Sequence, residues 1–388
     1  MGRTIIQGGT LLDPAEGIYD RRDVALDEGL VAEVTESIAA EDDEEVIDAA
    51  GLLVTPGLID LHVHVFAGVS HYGIEVDPTC LAKGVTTAVD AGTAGANIFP
   101  GFRQYVIDVC QTRLKAFLNI SCIGMVSGQE TEPAIGELED IRFCNVSSAV
   151  EMVEKHRDVM LGIKVRLSDI LAKEGENELP ALKLAREASD AVDLPIMVHT
   201  PNSSLGLPTI LKEMRDGDIL THCFHGHHSG ILDSDRNVIP EVWDAIERGV
   251  HFDIGHGKGS FTFEIAENAM RQGVLPGTIS SDLHRYNLNG PVFDLATTVS
   301  KFLLLGMPLD DALYRVTAAP AKTIGMSGEV GTLKVGAFAD VSLFELQEGQ
   351  FEFEDVFGEI RIGEQRLVPK MTIRDGRICA LDGELSNS

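Results

Sequence analysis

GLIDLHVHV, residues 57–65, is an apolar, partly β-branched run that admits polar side chains at Asp60, His62 and His64. Strand side chains alternate with period two, so Leu58, Asp60, His62 and His64 are expected on one face. Two imidazoles two residues apart at a strand end can converge on one ion, and neutral imidazole is the commonest metal ligand near pH 7. Alone, the spacing suits two exposed histidines equally well.

Segments of the same kind recur outward from this one: VTTAVDAG (85–92), AFLNISCI (116–123), MLGIKVRL (160–167), PIMVHT (195–200), GDILTHC (217–223), GVHFDIG (249–255) and GTISSDL (277–283). Helical patterns separate them, among them FRQYVIDVCQTRLK, SAVEMVEKHRDV, LPALKLAREASDAV, PEVWDAIERG, TFEIAENAMRQG and FDLATTVSKFLL. Such alternation is the pattern of parallel β/α units, and eight strands in about 230 residues fit a (β/α)₈ barrel. A doubly wound open sheet is the rival, but no Gly-rich phosphate loop opens a helix after the first strand. The ends have another texture: short strands with Gly and Asp turns, and no helical period. The predicted organisation is a barrel over 54–329 and a composite β-sandwich built from 1–53 and 330–388.

Composition narrows the function. An apolar fraction of 44% in 388 residues allows a large core and excludes global disorder. Lys plus Arg total 31 against 61 Asp plus Glu, a net charge of −30. That surface repels phosphate backbones and anionic membranes, which argues against nucleic-acid and lipid partners. It would also suit a high-salt cytoplasm. No apolar run nears the ~20 residues of a membrane span, and the N-terminus has no secretory h-region. The six scattered cysteines read as reduced thiols, so a cytoplasmic location is expected.

Polar groups gather at the strand ends, where barrel active sites form. Lys164 lies within the apolar run of the fourth strand; a buried ammonium must be paired, deprotonated or modified. A neutral lysine can add carbon dioxide to become a carbamate that bridges two metals; the plainer account pairs it with an interior carboxylate such as Asp60. Arg166 shares its face, one layer nearer the mouth. His199 ends the fifth strand, His222 the sixth, and Asp282 the eighth.

Taken in order, TPGLIDLHVH, IKVRLS, MVHT, THC and SSDLH resemble the metal motifs of the amidohydrolase superfamily, and GEVGTLKVGAFADVSLF resembles its return into a flanking β-sandwich. DAGTAGANIFPGFRQYVI, GIKVRLS and THCFHG are most similar to its dihydroorotase-like deacetylase group. The resemblance implies two divalent ions, zinc first. His62, His64 and Asp282 would hold one, His199 and His222 the other, and N6-carboxylated Lys164 would bridge them. Metals lower water's pKa and polarise carbonyls, so the implied reaction is hydrolysis by a metal-bridging hydroxide, with Asp282 as general base and then acid.

Dihydroorotases carry an arginine two positions beyond the second histidine; here that position is Phe66. The expected reaction is therefore removal of an acyl group, acetyl first, from an anionic N-acyl amino acid or O-acyl hydroxy acid. Arg166 and Lys258 are the candidates to meet the anion. His284 and Tyr72 are placed at the mouth, with His225 ahead of His227 and His228. The alternatives are a cyclic-amide hydrolase of the hydantoinase, dihydropyrimidinase or dihydroorotase kind, and a non-catalytic scaffold that would have lost ligands. A homo-oligomer is expected by resemblance only.

Overall fold

The computed structural model describes residues 3–128 and 130–386. Seven parallel strands form one curved sheet in chain order: Leu58–Val63, Val85–Gly95, Arg113–Asn119, Met160–Arg166, Ile196–His199, Ile219–Thr221 and His251–Phe252. Residues 277–283 close it through single bridges, Asp253 to Thr278 on one side and Val63 to Leu283 on the other. The backbone N–H of His64 donates to the Leu283 carbonyl at 3.0 Å. The fold is a (β/α)₈ barrel with a small β-sandwich formed by both termini.

The barrel interior is filled below the mouth by Ile59, Leu61, Val89, Ala91, Phe117, Met197 and Ile219. Leu58 instead belongs to the outer cluster packed against the helices. The expected shared face of Leu58, Asp60, His62 and His64 is thus broken. The pairing of the first two strands shifts register between Asp60 and Val63; this irregularity re-aims the chain, so that odd-numbered residues face inward below it and His62 and His64 above it.

The third strand starts at Arg113 rather than 116, and the FRQYVIDVCQTRLK helix is cut to the short turns Phe99–Phe102 and Arg103–Ile107. Asp77 explains the stop: its carboxylate accepts the backbone N–H groups of Gln111 and Thr112 at 2.8 and 2.9 Å. Arg113 is then pinned by ion pairs to Asp340 and Asp375 of the C-terminal segment. The helices Val146–Lys155, Glu178–Val192, Pro240–Glu247, Phe263–Arg271 and Leu295–Leu304 lie where the periodicity puts them.

Two sheets make the sandwich. One orders Leu30–Thr35, Asp23–Asp27, Thr4–Gln7 and Glu45–Asp48; the other includes Thr10–Asp13, Leu53–Pro56, Val341–Glu354 and Ile360–Arg374. Ile6, Leu11, Val24, Val54, Val341, Leu343 and Ile373 fill the space between them. Val341–Glu354 and Ile360–Arg374 form a hairpin that outgrows the sandwich and lies along the barrel. There the N–H of Leu367 donates to Ser300 Oγ at 3.0 Å, and that of Val356 to the Phe261 carbonyl at 3.2 Å. Among the described residues, no helix is long and apolar enough to cross a membrane.

Candidate active site

The strand ends surround a cavity of about 130 Å³, lined by His62, His64, Lys164, His199, His222 and Asp282 together with Tyr72, Glu130, Arg166, His227, Lys258 and His284. Ring centroids lie 5.3 Å apart for His62 and His64, 4.9 Å for His62 and His222, and 4.4 Å for His199 and His222. One ligand atom each from His62, His222 and Asp282 falls within a 4.8 Å span.

Local backbone geometry aims these groups. By strand phase Thr221, and not His222, should face inward. His222 has φ +66° and Asp282 φ +48°, left-handed conformations that cost non-glycine residues energy and swing both side chains across the mouth. Glycines make the room. A Cβ on Gly255 would lie 2.4 Å from Thr221 Oγ1 and 2.7 Å from His222 Nδ1. A Cβ on Gly92 would lie 2.4 Å from that of Lys164.

The electrostatics favour a cation-binding state. Burial, together with the charge of Lys164 and nearby imidazoles, holds His62, His199 and His222 well below the ordinary imidazole value. Burial likewise pushes His64 down to about 3. The rings are therefore neutral, the form that binds metal. Burial lowers the Lys164 amine to about 7 against the pull of Asp282 and Asp253, and raises Asp282 to about 6 against His284 and Lys164. Lys164 Nζ and Asp282 Oδ1 are both buried without a hydrogen-bond partner. Orphaned polar atoms among imidazole lone pairs fit a divalent ion or pair of ions of borderline softness.

The profile of the amidohydrolase family matches residues 53–379. This chain belongs to that family. A deacetylase from Brucella anthropi is 35% identical over 333 residues, covering 86% of this chain and 81% of that one. A crystal structure of an adenine deaminase matches with TM-score 0.88 at 33% identity, covering 97% of this chain and 99% of that one. A crystal structure of a dihydroorotase does so with TM-score 0.88 at 32% identity, covering 98% and 100%. As an amidohydrolase the chain is a hydrolase acting on C–N bonds other than peptide bonds, of a generally metal-dependent family.

The amidohydrolase cavity brings together the six candidate ligands and four of the five residues expected around them. The fifth, His225, is a correction. It is 2% exposed and does not line the cavity, and its Nδ1 accepts the backbone N–H of His227 at 3.2 Å. The turn after the sixth strand directs His227 to the cavity instead, with Nε2 2.7 Å from the Gly259 carbonyl oxygen. Asp60 is not the partner of Lys164 either: the amine makes no hydrogen bond, and Asp60 accepts from Ser281 and from the N–H of His62.

Arg166 faces the cavity beside Lys164 but is not free: its Nε and Nη2 each donate to Glu137 at 2.7 Å. Tyr72 lies under its guanidinium and donates its hydroxyl to Glu130 at 3.0 Å. Lys258 sits 5.6 Å from the centre of the Tyr286 ring, and among the described residues no carboxylate lies within ion-pair distance of it. Glu130 and Glu137 were not expected from the sequence, and there His227 ranks behind His225. The charged loop context of the glutamates carried no period that marked them.

Proposed function

We propose that the chain is a binuclear metal hydrolase that removes an acyl group, acetyl first, from a small anionic N-acyl amino acid or O-acyl hydroxy acid. The observation that carries this is the fully buried, unpartnered Lys164 amine facing Asp282 and the histidine cluster. Without modification or metal it is an expense with no return; as a carbamate its two oxygens would serve two ions. In forming it, Nζ bonds to the carbon of carbon dioxide and one proton leaves the nitrogen. His62 and His64 with Asp282 would hold one ion, zinc first among the divalent ions that nitrogen and oxygen donors accept, and His199 and His222 the second. When bound, such ions polarise the scissile carbonyl and make water acidic.

The rest falls to side chains. Asp282, aimed inward by its left-handed backbone, would accept the proton of the attacking water and pass it to the departing nitrogen or oxygen. Lys258 is the better group to meet a substrate carboxylate, because Arg166 is already neutralised by Glu137. Phe66 supports acyl removal over dihydroorotate chemistry: it packs 4.9 Å from Phe102, 5% exposed, and puts no cation in the cavity. The deacetylase name of the relative from Brucella anthropi points the same way. A cytoplasmic setting, where carbon dioxide and zinc are both available, belongs to the same proposal.

The test is metal analysis of protein purified without chelator, followed by turnover of N-acyl amino acids, O-acyl hydroxy acids, cyclic imides and adenine. Two ions per chain with acyl acids the best substrates is the expected result. Preference for a cyclic imide or adenine, or a content well below one ion, would overturn it.

A further inference from the structure

Behind the candidate ligands runs a buried chain of hydrogen bonds that the proposed reaction does not use. His62 Nδ1 lies 2.9 Å from Thr221 Oγ1, and the Thr221 hydroxyl donates to Asp253 Oδ2 at 2.8 Å. Thr278 and Ser280 donate to the same carboxylate at 2.6 and 2.7 Å. His62, Thr221 and Asp253 are all buried. A hydroxyl carries one hydrogen. Thr221 has committed its own to Asp253, so towards His62 it can only accept. Nδ1 is then the protonated nitrogen of His62, and the Nε2 lone pair points at the cavity, 3.5 Å from Asp282 Oδ1.

We infer that Thr221 is a positioning residue: through its hydroxyl, Asp253 fixes the tautomer and ring orientation of His62. Partners behind a metal-bound histidine set which nitrogen is free and how basic it is. His222 gets the same tautomer from a different acceptor, the Gly255 carbonyl, 2.6 Å from Nδ1. Strand phase explains why the relay uses Thr221. It faces inward where His222 would not, and the backbone turn at 222 lets two consecutive residues serve one site from different directions. The consequence for metal affinity rests on the two-metal reading above; the tautomer itself does not.

The experiment compares Thr221→Val, which keeps the shape without the hydroxyl, with Thr221→Ser, which keeps the hydroxyl. Zinc content is followed against graded chelator, and the His62 tautomer by ¹⁵N-histidine NMR of metal-free protein. Thr221→Val should release zinc at about 10- to 100-fold lower chelator strength, the scale for loss of such a partner. It should also lose the single Nδ1-protonated state, while Thr221→Ser stays near wild type in both. Should the valine variant fail to fold, Thr221→Ala replaces it. Wild-type zinc retention together with an unchanged His62 tautomer in the hydroxyl-free variant would overturn the inference. Metal-free wild type would overturn the two-metal reading, and the NMR comparison would still decide the relay.

Discussion

Oδ1 of Asp282 stands 3.2 Å from Nε2 of His64, yet that oxygen makes no hydrogen bond. A carboxylate oxygen buried against an imidazole nitrogen without a proton between them is unfavourable, and a cation near both removes the conflict. The pair ties the candidate general base to the candidate ligand set, so its two duties can be separated by substitution.

Asp282→Asn retains a ligand oxygen but cannot accept a proton. It should keep much of the metal and lose at least ~100-fold in kcat, the scale of an acid–base group. Steady-state kinetics beside metal analysis checks this, and near-wild-type turnover would remove Asp282 from the proton path.

Lys164→Ala should lose both metal and activity. Short carboxylic acids added with zinc should restore part of both by supplying the missing bridge. Full metal content in the unrescued variant would show that Lys164 bridges nothing.

Loading should depend on pH with a definite sign. Carbon dioxide adds only to the unprotonated amine. With Lys164 lowered to about 7, half of it is free at that pH, against on the order of one in a few thousand for an ordinary lysine. With dissolved carbon dioxide held constant, activation of metal-free protein by carbon dioxide and zinc should therefore accelerate as pH rises towards 7 and level off above it. A rate still climbing tenfold per unit at pH 9 would contradict the lowered value.

Lys258→Met should raise KM for an anionic acyl substrate by about tenfold or more, the loss of one charge-assisted contact of roughly 1.5–3 kcal/mol, with little change in kcat. An unchanged KM would return the role to Arg166.

Lys301→Met tests a second buried lysine. Its Nζ meets the His256 imidazole at 2.7 Å and the carbonyls of Pro291 and Glu354 at 2.8 and 2.7 Å. Removing the donor strands buried acceptors, so urea unfolding should show a loss of about 3 kcal/mol.

Much of this was legible because barrels put short apolar strands and their polar ends in register along the chain. The fifth strand ends at the candidate ligand His199 and the sixth one residue before His222, and helices such as Glu178–Val192 carry a clear apolar stripe. What failed has local causes. Alternation could not foresee the register shift after Asp60 or the left-handed turn at His222. Thr221 and Asp253 matter through a contact between different strands, and single hydroxyls carry no spacing. His225 and His227 lie two apart in one turn, so only the path of the loop chooses between them. Residues 277–283 hold the ring by isolated bridges, which the strand-like pattern of GTISSDL did not distinguish from a ladder.

The long hairpin has a temporal consequence. Its tip brings the Phe357 ring within 5.6 Å of the His227 ring, and its Glu354 carbonyl accepts a hydrogen bond from Lys301. During synthesis every candidate ligand has been made once Asp282 is added, but the wall beside His227 awaits some seventy-five further residues. A nascent chain paused before the hairpin would carry the full ligand set in an unfinished cavity, open to whatever ion or thiol reached it first.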